Sequence, residues 1–196
     1  MTKPLLQIVI GSTRPGRVGL PVAEWFEPLA KAHGGFEVEM IDLLAVNLPL
    51  LDEPNHPRLH QYTQPHTKAW SVTVTRADAF VFVVPEYNYG FNAATKNALD
   101  YLHLEWQFKP VGLVSYGGVA AGTRAVQMLK QVMTTLKMVP VFESVNIPFV
   151  TQFLDAEKKL RANDVMDVAA VAMLDELHRW TQALAPLRAK SPPPSS

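Results

Sequence analysis

The sequence predicts an α/β protein in which a parallel β-sheet carries helices on both faces. Short apolar segments of strand length recur along the 196 residues, among them Leu5 to Ile10, Ala79 to Val84 and Pro110 to Ser115. Segments with apolar residues at helical spacing separate them. Because parallel strands need crossover connections, this alternation favours five strands joined by helices.

The first strand is predicted over Leu5 to Ile10, where a nearly continuous apolar run indicates burial on both faces. Pro21 suits the first turn of the helix that follows, and Gly34 with Gly35 ends it. Its apolar residues are Val22, Trp25, Phe26, Leu29 and Ala30. We expect Pro28 to kink or shorten this helix.

The next segments are a second strand, a loop and an ambiguous region. Phe36 to Leu43 alternates apolar and acidic residues, as a strand does, and Asn47 to His60 is a proline-containing loop. Loops of this length are often functional or interfacial. Gln64 to Ala77 has helical spacing, but Ser71 to Thr75 is rich in β-branched residues. We predict a helix there, because the flanking strands need a crossover.

The second half of the chain repeats the alternation. Strands are predicted at Ala79 to Val84, Pro110 to Ser115 and Val141 to Ile147, with helices at Ala93 to Leu102 and Thr123 to Leu136. Asn163 caps a final helix whose predicted inward stripe is Val165, Val168, Ala172, Leu177, Trp180 and Leu184. We expect one domain over residues 1–190 and a disordered Pro/Ser-rich tail over residues 191–196.

Composition excludes several classes of function. The 18 Lys and Arg residues balance the 18 Asp and Glu residues, which argues against nucleic-acid and membrane partners. With no cysteine, the chain has no disulfide, thiolate nucleophile, cysteine-ligated zinc or iron–sulfur cluster, so redox chemistry requires a bound cofactor. The apolar runs are too short to span a membrane, no secretory signal is evident, and a cytoplasmic location is expected.

The first loop, Gly11 to Gly19, has the composition of a phosphate site. It combines Ser12 with the guanidinium groups of Arg14 and Arg17, three glycines and backbone amides at a helix N-terminus. It is neither a Walker loop nor a G-x-G-x-x-G motif. The alternative is a Gly/Pro turn with solvated arginines.

Two further loops follow buried strands. The second loop, Pro85 to Asn92, carries aromatic and amide side chains suited to a flat heteroaromatic ring or, alternatively, to a subunit interface. The third loop, Ser115 to Gly118, is small enough for backbone amides to approach a ligand, or is a plain tight turn. Because ligands bind beyond the carboxyl ends of parallel strands, the three loops together suggest a mononucleotide site.

Four motifs resemble, in the same order, the NADPH-dependent FMN reductase family. They are Gly-Ser-Thr-Arg-Pro-Gly-Arg at 11–17, Pro-Glu-Tyr-Asn-Tyr-Gly at 85–90, Lys-Asn-Ala-Leu-Asp at 96–100 and Ser-Tyr-Gly-Gly at 115–118. The resemblance extends from about Leu5 to Arg188. It implies a flavodoxin-like three-layer sandwich with a five-stranded parallel sheet of order 2-1-3-4-5, and relatives that reduce quinones, azo dyes and chromate.

The resemblance also assigns expected roles to residues. Ser12, Arg14, Arg17 and the amides around Val18 would hold the FMN phosphate; Pro85, Glu86, Tyr87 and Asn88 would line the isoalloxazine; Ser115, Tyr116, Gly117 and Gly118 would close its other side. Lys96 and Asp100 form an expected helix ion pair. Thr95 and the turn at 156–159 depart from the family pattern, which leaves the shape of the pocket open.

These expectations define a function and its rivals. NAD(P)H would pass hydride through FMN to a small-molecule acceptor such as a quinone, flavin, azo compound or metal oxyanion, with no catalytic side chain and no metal. The resemblance implies a homodimer or homotetramer, for which the apolar segment from Leu48 to Leu51 would suit an interface. The alternatives are a flavodoxin-type FMN carrier without a nicotinamide site and a nucleotide-binding regulatory protein.

Overall fold

A five-stranded parallel β-sheet forms the centre of the computed structural model, which describes residues 2–188. The strands are β1 (Leu5–Ile10), β2 (Glu37–Asp42), β3 (Ala79–Pro85), β4 (Pro110–Tyr116) and β5 (Val139–Ile147). Their order across the sheet is β2-β1-β3-β4-β5, which confirms the order expected from the resemblance. The tail at 191–196 lies outside the described residues.

Six α-helices connect and cover the strands within this range. They are α1 (Gly19–His33), α2 (Leu43–Val46), α3 (Pro65–Arg76), α4 (Ala93–Asp100), α5 (Thr123–Thr135) and α6 (Asp164–Arg188). The helix predicted across the ambiguous region is confirmed as α3, and α1 continues past Pro28 to His33 rather than ending early. None of the helices between residues 2 and 188 is long and apolar enough to cross a membrane.

Two apolar cores lie on opposite faces of the sheet. Alternate residues of β3 enter each core: Val81 and Val83 pack with α1 and α6, whereas Phe80 and Phe82 pack with α3, α4 and α5. This alternation follows from the two-residue repeat of a strand. All seven residues of β3 and all seven of β4 are buried, as expected for strands covered on both faces.

The predicted inward stripe of the last helix is wrong for four of its six residues. Leu177 and Leu184 are buried, but Val165, Val168, Ala172 and Trp180 are exposed. The buried face instead consists of Met166, Ala170, Met173, Leu174, Leu177, Thr181 and Leu184. Apolar residues occur on both sides of α6, so spacing alone offered two faces, and packing against β4, β5 and α1 selected one. The predicted cap is present, since Asn163 Oδ1 accepts from the Met166 amide.

Hydrogen bonds attach the long loop between α2 and α3 to the segments that pack against it. The buried carboxylate of Glu105 accepts hydrogen bonds from the Tyr62 hydroxyl at 3.1 Å and the Ser71 hydroxyl at 2.6 Å, and it lies 3.1 Å from His60 Nε2. Burial, followed by the negative charge of Glu105, raises the pKa of Tyr62. Near the start of the loop, Leu50 remains 81% exposed.

Lys109 is a buried lysine next to the C-terminus of α3. The residue is only 6% exposed, and its Nζ lies 5.6 Å from the centroid of the Phe80 ring. Nζ donates to the carbonyl oxygens of Val74 at 2.7 Å and Thr75 at 3.1 Å. These carbonyls belong to the last turn of the helix, where a positive charge is favourable.

We predict that Lys109 makes stability depend on pH. Burial lowers its pKa from 10.5 to about 7, with Asp78 opposing the shift and Arg188 adding to it. Between these values the unfolded chain binds more protons, so the free energy of unfolding rises with pH by up to about 1.4 kcal/mol per unit. Lys109→Met should abolish this rise in urea titrations between pH 7 and 9.5. Lys68→Met, at an exposed position of α3, should retain it, and an unchanged slope in Lys109→Met would contradict the assignment.

Candidate functional site

Three loops meet at the carboxyl edge of the sheet, as the sequence predicts. Backbone hydrogen bonds join them to neighbouring strands: the Gly11 amide donates to Val83, the Glu86 amide to Tyr116 and the Gly117 amide to Ile147. Between the loops lies a cleft of about 310 Å³. It is lined by Arg14, Val18, Pro85, Glu86, Tyr87, Tyr116, Gly117, Gly118, Phe149, Val150 and Thr151.

Eight of these lining residues are among the twelve predicted site residues, and three are new. Phe149, Val150 and Thr151 follow β5, and the amides of Phe149 and Val150 donate to the carbonyls of Gly118 and Gly117. The signal that could have identified them is the carboxyl end of the fifth predicted strand, which reaches the same edge of the sheet. Ser12, Arg17, Asn88 and Ser115 do not line the cleft.

The N-terminus of α1 opens onto the first loop. Val18 caps the helix without a side-chain hydrogen bond, and the first turn contains no acidic residue, so its amides and dipole favour an anion. Ser12 is fully buried, and its hydroxyl lies 2.9 Å from the Tyr87 hydroxyl. This hydroxyl pair links the first loop to the second beside the helix terminus.

The Tyr116 hydroxyl is buried against the same helix terminus. A Cβ placed on Gly19 would approach Tyr116 Oη to 2.7 Å, which shows how closely the hydroxyl meets the first turn of α1. Tyr116 is 5% exposed, and its hydroxyl makes no hydrogen bond of normal geometry in the described chain, although the Ser12 hydroxyl is a near neighbour. Burial, followed by the nearby Tyr87, raises the pKa of Tyr116, so the hydroxyl keeps its proton at neutral pH.

The two arginines of the first loop have different environments. Arg14 is exposed at the mouth of the cleft, and within residues 2–188 its side chain makes no ion pair or hydrogen bond. The resemblance implies that Arg17 faces a phosphate, whereas in the structure its guanidinium is held by the carboxylate of Asp42 and the Ser12 carbonyl. No local sequence pattern indicates this pairing, because Asp42 is 25 residues away in the chain.

The second loop is a tight two-residue turn that directs its side chains outward. Tyr87 and Gly90 exchange backbone hydrogen bonds of 2.8 and 2.9 Å, and Asn88 and Tyr89 both adopt positive φ, as in a type I′ turn. Asn88 is therefore exposed outside the cleft rather than lining it. Tyr89 stacks on Arg124, whose guanidinium carbon lies 3.7 Å from the ring centroid.

Glu86 contributes backbone to the cleft and its carboxylate to α5. The carboxylate accepts from the Arg124 amide at 3.2 Å and from Arg124 Nε at 2.6 Å, and thereby caps a helix that has no cap of its own. These contacts fix the position of Glu86 at the edge of the cleft.

Ser115 stabilises the third loop instead of lining the cleft. Its hydroxyl donates to the Ala121 carbonyl and lies 2.9 Å from Asn146 Oδ1. Gly122, at φ +82°, allows the chain to pass this close, since a Cβ there would lie 2.8 Å from the Tyr116 amide nitrogen. β4 continues to Tyr116, so Ser115 and Tyr116 point to opposite faces. Tyr116, on the α1 face, is the one that reaches the cleft.

The two departures from the family pattern have local explanations. Thr95 is fully buried and donates to Asn92 Oδ1 at 2.8 Å, while Asn92 Nδ2 donates to the Gly11 carbonyl at 2.7 Å. This chain of hydrogen bonds connects α4 to the first loop. In the turn at 156–159, Lys158 adopts a φ of +61°, a conformation for which glycine is usual. The predicted ion pair between Lys96 and Asp100 is also present.

Comparison with known proteins identifies the family. The model of the family described as NADPH-dependent FMN reductase matches residues 4–152, which include all three loops. The chain belongs to this family. An NAD(P)H-dependent FMN reductase of Schizosaccharomyces pombe is 42% identical over 149 residues, which cover 74% of this chain and 74% of the relative. As its description states, this family consists of oxidoreductases that use NADPH and FMN.

Solved structures share the fold of this reductase at low sequence identity. A flavoenzyme NAD(P)H:(acceptor) oxidoreductase from Paracoccus denitrificans has a TM-score of 0.72 and 18% identity, and the match covers 92% of this chain and 98% of that one. A flavodoxin from Streptococcus pneumonia has a TM-score of 0.53 and 15% identity, with coverages of 89% and 98%. The flavodoxin-like fold expected from the sequence is confirmed.

We predict that Thr95 stabilises the first loop of this reductase through Asn92. Thr95→Val keeps the shape of the side chain but leaves the buried Asn92 Oδ1 without its donor. The free energy of unfolding should fall by about 1–3 kcal/mol, as measured by urea titration. Thr135→Val, at an exposed position in α5, is the control and should change it by less than about 0.5 kcal/mol. Equal effects of the two substitutions would contradict this role.

Proposed function

We propose that this protein is an FMN-dependent NAD(P)H oxidoreductase that reduces small-molecule acceptors such as quinones, flavins, azo compounds or metal oxyanions. The observation that carries the proposal is the unpartnered Tyr116 hydroxyl, buried against the uncapped N-terminus of α1 and beside the cleft that Arg14 borders. Buried polar groups normally have partners. A phosphate would supply the missing acceptor for this donor. The names of the relatives, FMN reductase and quinone reductase, support the same activity.

The residues present fit an FMN phosphate. Arg14 would donate charged hydrogen bonds and Tyr116 would donate from its hydroxyl, while the first amides of α1 face the anion. The buried Ser12 hydroxyl, which pairs with Tyr87, would hold the loop around the anion. Arg14 is the loop arginine whose charge is not already compensated by a carboxylate in the described chain. We therefore assign the principal charged contact to Arg14 rather than to Arg17.

The remainder of the cleft fits a flat ring. Pro85, Tyr87 and Phe149 provide apolar surfaces, and the glycines at 117 and 118 expose backbone groups without side chains. FMN, when bound, supplies the two-electron chemistry by accepting hydride from a nicotinamide and returning electrons to an acceptor. The chain's own contributions are to orient the ring, to exclude water from its buried side and to offer backbone donors at its edge.

We extend the proposal to the whole protein. Residues 1–190 would form one FMN-binding domain in a cytoplasmic homodimer or homotetramer, with no membrane or nucleic-acid partner. The exposed Leu50 and Leu51, at 81% and 42%, support an interface in the loop after α2. Sedimentation of the purified protein as a monomer would overturn the oligomeric part alone.

The first test of this function uses anaerobic reduction. We predict that the protein binds FMN, becomes yellow, and loses its visible flavin absorbance within the mixing time of a stoichiometric addition of NADPH or NADH. Reoxidation by a quinone should restore the colour. A protein that binds FMN but stays oxidised with both nucleotides would favour the flavodoxin-type carrier. A protein that cannot take up FMN would exclude both redox functions.

The second test removes the proposed phosphate contact. Arg14→Ala should raise the dissociation constant of FMN about ten- to hundredfold, because a hydrogen bond to a charged group contributes about 1.5–3 kcal/mol. Flavin fluorescence titration measures this constant. Arg58→Ala removes an exposed arginine from the loop after α2 and should leave it unchanged. An unaltered FMN affinity in Arg14→Ala would refute the assignment of Arg14.

A further inference from the structure

Arg17 is enclosed by groups of its own chain. Its Nη1 and Nη2 donate to Oδ1 and Oδ2 of Asp42, each at 2.5 Å, and Nη1 also donates to the Ser12 carbonyl at 2.9 Å. The Arg17 side chain is only 10% exposed. Asp42, the last residue of β2, also accepts from the Leu44 amide at 3.0 Å and so caps α2. One carboxylate therefore joins the first loop, the end of β2 and the start of α2.

The charges of this pair compensate each other. Hydrogen bonding to Asp42 raises the pKa of Arg17. Burial opposes ionisation of Asp42, but the Arg17 guanidinium and the Leu44 amide outweigh it, so the pKa of Asp42 is lowered. Both groups are therefore charged at neutral pH, in a bidentate geometry that matches the fork of the guanidinium to the two carboxylate oxygens. Arg17 adds little net positive charge to the cleft.

The pair also fixes the shape of the first loop. The Arg17 guanidinium holds the carbonyl of Ser12, whose hydroxyl meets Tyr87 at the cleft. The Arg17 amide donates to the Arg14 carbonyl at 3.1 Å, which closes the turn that carries Arg14. Fixing Arg17 thus fixes two residues that precede it in the loop, before any ligand is present.

We propose that Asp42 is a positioning residue for phosphate binding: it acts through Arg17 to hold Ser12 and Arg14 in the arrangement that receives the anion. The proposal rests on the FMN function proposed above and concerns a residue outside all three loops. Its rival is a direct Arg17–phosphate contact, in which Asp42 would compete with the ligand for the guanidinium. The two mechanisms make opposite predictions for the loss of the carboxylate.

The decisive variant is Asp42→Asn, with FMN and riboflavin as the probes. If Asp42 positions the loop, one of the two charged hydrogen bonds is lost and the FMN dissociation constant rises about tenfold or more. Riboflavin has no phosphate, so its dissociation constant should stay within about twofold. If Arg17 is the direct ligand, removal of the competing carboxylate and its negative charge tightens FMN binding instead.

Matched variants separate geometry from charge and from folding. Glu37→Gln removes one negative charge from the exposed start of the same strand and should leave both constants unchanged. Asp42→Glu restores the carboxylate and should recover part of the FMN affinity. Arg17→Lys keeps the positive charge but lacks the fork, so it should weaken FMN to the same extent as Asp42→Asn. Because both act on one contact, the double variant should be no weaker than either single variant.

Each outcome decides the proposal. The proposal is supported if Asp42→Asn weakens FMN binding but not riboflavin binding, and if its effect is not additive with that of Arg17→Lys. Tighter or unchanged FMN binding in Asp42→Asn overturns it, and so does an equal loss for FMN and riboflavin, which would mean a general effect on the fold. If Asp42→Asn does not fold, Arg17→Lys still tests the proposal, because full FMN affinity there would exclude the positioning role. Failure of the unmodified protein to bind FMN would instead refute the proposed function.

Discussion

The pairing of β1 with both β2 and β3 is the constraint on which the site depends. The chain leaves β1, forms β2 on one side, and crosses back over β1 to form β3 on the other. Connections on opposite faces separate beyond the carboxyl end of β1, and ligands of parallel sheets bind in the resulting crevice. The first loop begins at this point. Its neighbours, Asp42 at the end of β2 and the loop after β3, follow from the same topology.

The polar groups at this edge mostly satisfy one another. Glu86 is engaged by Arg124, Arg17 by Asp42, and Ser115 by the turn after β4. These bonds hold the backbone of three loops in place without a ligand, which lowers the cost of ordering them on binding. Within residues 2–188, the Tyr116 hydroxyl and the Arg14 guanidinium have no such partner, and both lie near the uncapped end of α1. Their position is what distinguishes a ligand site from a well-packed group of turns.

Residues at the site differ in how far they could be predicted. Arg14 and the two glycines at 117 and 118 line the cleft as the motifs indicate, because a short loop leaves them few other positions. Ser115 is harder to place, because Ser115 and Tyr116 point to opposite faces of β4 and the motif does not indicate which of the two faces the cleft. Phe149 follows a strand whose loop carries no recognisable motif. The prediction of the buried face of α6 is wrong for a related reason: apolar residues occur at helical spacing on two of its faces.

The sequence by itself determined the alternation of strands and helices, the family and three of the loops that form the site. These depend on local periodicity and on short motifs that are contiguous in the chain. Only the tertiary structure decided which polar groups form hydrogen bonds that hold the loops in place and which remain available to a ligand. Arg14 and Arg17 have the same chemistry and lie three residues apart, yet Asp42 engages only Arg17. The distinction arises because β2 pairs beside β1, a contact between distant segments that no local pattern encodes.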